Sequence, residues 1–192
     1  MSFAARMMTS SFTPITNTYN TGSGTETVPA GASQVVITLW GGGGGGSRDV
    51  LSSIGSGGAS GGYVQKTQAT SGGSTFAYAV GNGGTGRITS DGNGTAGVAS
   101  TITTPALSAG GGGAGLVAGT AATGGAATGG DTNTAGNSSP GGGVVTGKGA
   151  PNGGADATLS GAAGTAPGGG GAANYGGNAG NGSTGRITFA YT

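Results

Sequence analysis

Gln34-Val35-Val36-Ile37-Thr38-Leu39-Trp40, followed at once by Gly41-Gly42-Gly43-Gly44-Gly45-Gly46, decides the fold class. The first seven residues carry the highest β-propensity in the chain. Alternation sets Val35, Ile37 and Leu39 on one face and Val36, Thr38 and Trp40 on the other. Both faces are largely apolar, which predicts a central strand covered on two sides. The six glycines stop that strand.

Working outward, Thr25-Glu26-Thr27-Val28 reads as a short strand, with Pro29 and Gly31 as turn formers before the central one. Gly61-Gly62-Tyr63-Val64-Gln65-Lys66-Thr67 alternates Tyr63, Gln65 and Thr67 against Val64 and Lys66. Ser74 to Val80 places Phe76, Tyr78 and Val80 on one face, and Gly185 to Tyr191 does the same with Ile187, Phe189 and Tyr191. Val98 to Leu107 supplies one or two shorter strands. The expected sheet core is Val35, Ile37, Leu39, Trp40, Tyr63, Phe76, Tyr78, Val80, Ile187, Phe189 and Tyr191. No segment has a helical period, and each glycine would cost a helix about 1 kcal/mol relative to alanine. Residues 1–24 are polar and Pro14 interrupts them; they read as an extended anchoring arm whose contacts are Phe3, Phe12, Ile15 and Tyr19. The β domain is expected over 25–192, with strands in 25–109 and 185–192.

Of 192 residues, 52 are glycine, and only 6% are charged. Without histidine or cysteine, the chain lacks the side chains of ordinary zinc sites, thiol catalysis, imidazole acid–base chemistry and disulfides. A net charge of +1 offers no electrostatic basis for nucleic-acid or acidic-membrane partners. No run of about 20 apolar residues exists for membrane insertion. The segment MSFAARMMTSSFTPIT lacks the apolar block of a secretory leader. No catalytic residue, cofactor site or metal site is expected.

Residues 110–184 are almost entirely Gly, Ala, Ser, Thr and Asn, with Tyr175 as the one aromatic. Side-chain burial there cannot offset a backbone entropy of about 1–2 kcal/mol per ordered residue. Two states remain open: a solvated coil, or main chains packed directly on one another as polyglycine II-like rods with three residues per turn. The second is the expectation taken forward. Steps of three from Gly112 reach Gly115, Ala118, Ala121, Gly124, Ala127, Gly130, Asn133 and Gly136, a candidate inward row.

Motifs that imitate chemistry do not hold up. Gly81-Asn82-Gly83-Gly84-Thr85-Gly86 fits the spacing of a dinucleotide loop, but Arg87-Ile88-Thr89 continues it as strand-like sequence rather than helix. Gly142 to Gly149 lacks the hydroxyl residue after Lys148 that a phosphate loop needs. Glu26, Asp49, Asp91, Asp131 and Asp156 are far apart in sequence and read as turn and surface residues. GNG-x-TGRIT occurs twice, at 81–89 and 180–188, as two equivalent turn-to-strand units in which Arg87 and Arg186 read as edge charges rather than ligand contacts.

Thr27-Val28-Pro29-Ala30-Gly31, the Val35–Trp40 strand with its glycine run, Gly61-Gly62-Tyr63-Val64, Val80-Gly81-Asn82-Gly83-Gly84, Ala106 to Gly113 and Gly185 to Tyr191 follow in an order that resembles the glycine-rich domain of bacteriophage tail, fibre and other virion proteins and of some bacterial surface proteins. The resemblance covers about residues 24–192 and brings no catalytic residues. It implies an all-β protein: a small β-sandwich or jelly-roll-like framework holding long glycine-rich loops, without helices. It also implies a virion component assembled in the host cytoplasm. Its partners would be other virion proteins, through the arm, and a host surface glycan or protein. Because the core is small, a homo-oligomer, a trimer, is expected. Capsid decoration or a head fibre is the alternative on the particle. An ice-binding protein is the alternative outside it, although the threonines show no regular repeat.

Overall fold

The computed structural model describes residues 12–50, 55–117 and 119–192, and over these the chain is all-β, with two antiparallel sheets and no helix. The strands are β1 Ile15–Tyr19, β2 Ser23–Thr27, β3 Gln34–Trp40, β4 Tyr63–Ala69, β5 Thr75–Ala79, β6 Ser100–Ile102, β7 Leu107–Ala109, β8 Ala127–Thr128, β9 Thr132–Thr134 and β10 Arg186–Tyr191. One sheet has the order β1-β10-β3-β4-β9 and the other β2-β5-β6-β7-β8. β3 is central, with Ile37 opposite Phe189 on β10 and Leu39 opposite Val64 on β4.

The sandwich closes over one face of β3. Val35, Ile37 and Leu39 are fully buried, and with Ile187, Phe189, Tyr191 and Val64 they meet Phe76, Val80, Ile102 and Leu107 from the other side. Phe76 and Phe189 stack across the interface with ring centroids 5.6 Å apart, a pairing that adds to their area burial. Tyr78 packs at the margin of this core.

Trp40 and Tyr63 belong elsewhere. They pair across β3 and β4 on the face turned away from the second sheet, edge to face at 5.3 Å. There Trp40 Nε1 donates to Pro151 O at 3.0 Å, so the glycine-rich half covers the outer surface of the sheet. Their apolar bulk was legible, but which layer would cover them was not.

The N-terminal segment also departs from expectation. Phe3 lies outside the described residues. Ile15–Tyr19 is not a free arm but the edge strand β1, paired with β10 from Ile15↔Tyr191 to Tyr19↔Ile187. Tyr19 stacks on Tyr78 at 4.3 Å, and Phe12 packs against the core beside Gly31, whose φ of +92° makes the turn into β3. Of the expected arm contacts, Ile15 keeps an exposed side chain. The sequence ITNTY is too polar to announce a strand; the open edge of β10 recruits it.

The six-glycine run does end β3, but it then forms the axis of a second solid. Its N–H groups point in turn to three neighbours. Gly41, Gly44 and Ser47 donate to Gly62, Ala59 and Ser56; Gly42, Gly45 and Arg48 donate to Val98, Thr95 and Gly92. Gly43 and Gly46 donate to Ser183 and Gly180. Its carbonyls serve three more: Gly42 and Gly45 accept from Gly112 and Gly115, Gly43 and Gly46 from Gly84 and Arg87, Gly44 and Ser47 from Gly171 and Asn174. A repeat of three residues is that of a polyglycine II rod, which has no internal hydrogen bonds and turns each amide by about 120°. Six neighbours therefore surround one rod.

Three such rods, 41–47, 55–62 and 168–173, are buried along their whole length and close on one another: Gly44 donates to Ala59, Gly58 to Gly171, and Gly171 to Gly44. Segments without Cβ approach so closely that a Cβ on Gly44 would sit 2.0 Å from Gly113 O. Where serine enters this interior, its hydroxyl replaces a backbone partner. Ser47 Oγ donates to Ser56 O at 2.9 Å, and Ser60 Oγ accepts from Asn137 N at 2.8 Å. Ordered main-chain packing, not coil, is thus the state of 110–184 among the described residues. Its strand content exceeds expectation, with β8 and β9 inside it.

The candidate inward row holds only in part. Gly112 and Gly115 are buried against the central rod, and a Cβ on Gly124 would meet Gly136 O. Ala121 and Asn133 are exposed, and Ala122 takes the buried place. Gly119, with φ +66°, lies where the phase is lost, because a three-residue period survives only along an uninterrupted rod.

Candidate functional site at the distal end of the glycine lattice

Every strand that enters the lattice sends its rod away from the sandwich and turns back at the far end. The described parts of these turns lie near residues 50, 88–91, 119–121, 140–143, 159–161 and 175–178. Hydrogen bonds knit them into one distal surface. Arg48 and Gly92 exchange backbone bonds at 3.0 and 2.9 Å, Arg48 Nη1 donates to Ile88 O at 2.9 Å, and Val50 N donates to Asp91 Oδ1 at 3.0 Å. Val117 N donates to Asn93 Oδ1 at 3.0 Å, and the Tyr175 hydroxyl donates to Gly143 O. On this surface Val50, Ile88, Val144 and Leu159 are exposed, Leu159 to 75%. Ile15, on the edge strand, and Val98, beside Gly42, are exposed as well; single exposed aliphatic side chains are common on protein surfaces.

Both copies of the duplicated motif flank the central rod: Gly84 donates to Gly43, and Gly43 donates to Ser183. The copies run antiparallel and touch: Gly185 N donates to Gly81 O, Gly182 N to Gly84 O, and Ala179 N to Arg87 O. Asn181 Oδ1 also accepts from Gly86 N at 2.8 Å. Beyond this shared contact the copies diverge. The second runs into β10, where Ile187 is fully buried and Arg186 Nε donates to Asn20 Oδ1 at 2.8 Å. The first turns outward to the distal surface, where Ile88 is 56% exposed and Arg87 Nη2 donates to Ser90 Oγ at 3.0 Å.

Two of the acidic residues form ion pairs with lysines. Asp131 accepts from Lys66 Nζ at 2.8 Å, and the Lys66 hydrogen bond, aided by the Thr67 amide, holds its carboxyl below the usual range. Asp156 accepts from Lys148 Nζ at 2.8 Å, and Asp91 caps Val50. Among the described residues, no three acidic side chains converge as a metal site.

Glu26 is the surprise among them. It is 4% exposed and accepts three hydrogen bonds: from Asn17 Nδ2 at 2.7 Å, Tyr19 OH at 2.5 Å and Tyr191 OH at 3.0 Å. Because β1 and β10 belong to one sheet and β2 to the other, the carboxylate pins the two sheets together. Three donors fill most of its roughly four acceptor sites, as befits a structural staple. Sequence reading placed Glu26 at the surface. A lone acid in a threonine-rich strand was a signal, but Tyr191 stands 165 residues away.

The same network sets an alkaline limit to stability. The hydrogen bond to Glu26, then burial, pushes the Tyr19 hydroxyl up from 10.0 to about 12; burial, then the Glu26 bond, raises Tyr191 as well. A raised acid favours its neutral form in the folded state, so its contribution is complete below pH 10 and is lost as pH climbs towards 12. Denaturant midpoints are expected to be flat to about pH 10 and then to fall, and Tyr19→Phe to flatten part of that fall. A midpoint that rises across this window would contradict the network.

No curated protein matched the chain in sequence comparison. A two-sheet framework, rods of glycine hydrogen-bonded with a period of three, and loops gathered at one end are what its composition builds. The profile of the glycine-rich domain matches residues 17–192, and the chain belongs to that family.

Proposed function

We propose that the protein is a non-enzymatic structural component of a bacteriophage particle, a tail or fibre tip whose distal turns contact the host surface. One observation carries this reading: the paired sheet edge lies at one end of the molecule and the turns of the glycine rods gather at the other. At the base, β1 and β10 pair from Ile15↔Tyr191, and Thr192 is hydrogen-bonded to Gln34. At the other end are turns with exposed aliphatic side chains. A rigid, weakly charged body that separates an attachment end from a contact end suits display on a particle. Loops at one end of a stiff scaffold are also where recognition is generally placed. Under this reading the base docks on other virion proteins, as part of a trimer.

Mass spectrometry of purified particles should find the chain, and purified protein or antiserum should block adsorption to host cells. Particles without the chain would remove the virion reading. Presence on the particle with unaltered adsorption would move it to the head-decoration alternative.

A further inference from the structure

A cleft of about 280 Å³ opens beside the outward-turned copy of the repeated motif, lined by Thr85, Arg87, Ile88, Thr89, Asn93 and Thr95. We infer that this cleft is a subsite for a single sugar unit bearing a carboxylate, an assignment that rests on the distal end being the contact surface.

Two independent observations meet here. The first is the contrast between the copies. The same Gly-Arg-Ile-Thr sequence enters the sheet at 185–188 but is held out of any strand at 86–89. There Ile88 stands in solvent while its counterpart Ile187 is fully buried. Strand-forming sequence kept out of a strand is a local conflict of the kind that folds tolerate at working sites.

The second is the chemistry of the lining. Thr85 N donates to Thr95 Oγ1 at 2.7 Å, and the two hydroxyls lie 3.1 Å apart, a pair that can both donate and accept towards sugar hydroxyls. The Asn93 carbonyl oxygen is engaged by Val117 N, which leaves its amide nitrogen as a donor. Arg87 uses one Nη2 bond on Ser90; a guanidinium has five N–H donors in a fork that suits a carboxylate. No carboxylate lines the cleft. Ile88 at its rim offers an apolar edge to the C–H face of a ring. The volume lies just below the usual range for small-ligand sites, which suits one ring rather than a chain.

The test is a titration of the isotope-labelled full chain, followed by amide NMR, with glucuronate and N-acetylneuraminate as probes and glucose as the neutral comparison. At least one acid should shift the Thr85, Gly86, Arg87 and Thr95 amides, with a dissociation constant in the millimolar range. Glucose should bind at least tenfold more weakly. Arg87→Gln should weaken the acid by tenfold or more and Thr85→Val by several-fold, while Arg186→Gln leaves it within twofold. Amide spectra of each variant outside the cleft verify the fold. The assignment is overturned if neither acid shifts these amides at tens of millimolar, if glucose binds as well, or if Arg186→Gln is as damaging as Arg87→Gln. Adsorption blocked by a protein that binds neither acid would sink this subsite and leave the tip reading standing. Acid binding by a chain absent from particles would do the reverse.

Discussion

Gly44→Ala is expected to lower the free energy of unfolding by about 4 kcal/mol or more, enough to leave the lattice open to proteolysis. The added methyl would sit 2.0 Å from Gly113 O and 2.6 Å from Gly113 C. Both are main-chain atoms of a rod that is itself bonded on its other sides, so no rotamer change relieves the clash. Gly176→Ala is the matched control. Nothing lies within 4 Å of its Cβ position, and with fewer unfolded conformations to lose, the variant should be neutral or up to about 1 kcal/mol more stable. Thermal unfolding and limited proteolysis of the two read the difference directly. Equal behaviour would mean that the rods do not carry the C-terminal half.

Glu26→Leu is expected to destabilise by about 2–4 kcal/mol, chiefly because it leaves the Tyr191 hydroxyl, on a residue 1% exposed, without an acceptor. The diagnostic result lies in the combination. Adding Tyr19→Phe and Tyr191→Phe to Glu26→Leu removes both hydroxyl donors as well as the acceptor and leaves only the amide of the half-buried Asn17; apolar replacement of a buried polar cluster is often close to neutral. The triple variant should therefore be more stable than Glu26→Leu alone, a non-additivity that denaturant titration can measure. Simple addition of the three losses would show that these side chains act independently rather than as one staple.

The parts of the fold legible in the sequence are those written in side chains. Val35, Ile37 and Leu39 alternate with Val36, Thr38 and Trp40, and that period of two announced a central strand covered on both faces, though not which face meets the second sheet. Phe76 to Val80 and Ile187 to Tyr191 spoke as clearly. β1, β8 and β9 did not, because ITNTY, AT and TNT are strands only by virtue of an open neighbouring edge. Of the candidate site, the repeated motif and its arginine were visible. The cleft was not, since Thr85, Asn93 and Thr95 converge only once the chain has doubled back.

Glycine marks the limit of such reading. A run without Cβ states that main chains can approach, which follows from sterics alone, and the polar, cysteine-free composition leaves little else to hold that half together. It does not state which rods become neighbours, because identical residues carry no address. The tethering strands supply it by fixing where each rod begins. Two copies of Gly-Arg-Ile-Thr make the point: the one delivered to the edge of β3 becomes β10, and the one delivered to the distal turns remains in solvent. Composition determined that backbone would pack on backbone; the tertiary structure decided the partners, because only an available hydrogen-bonding edge distinguishes one glycine-rich segment from another.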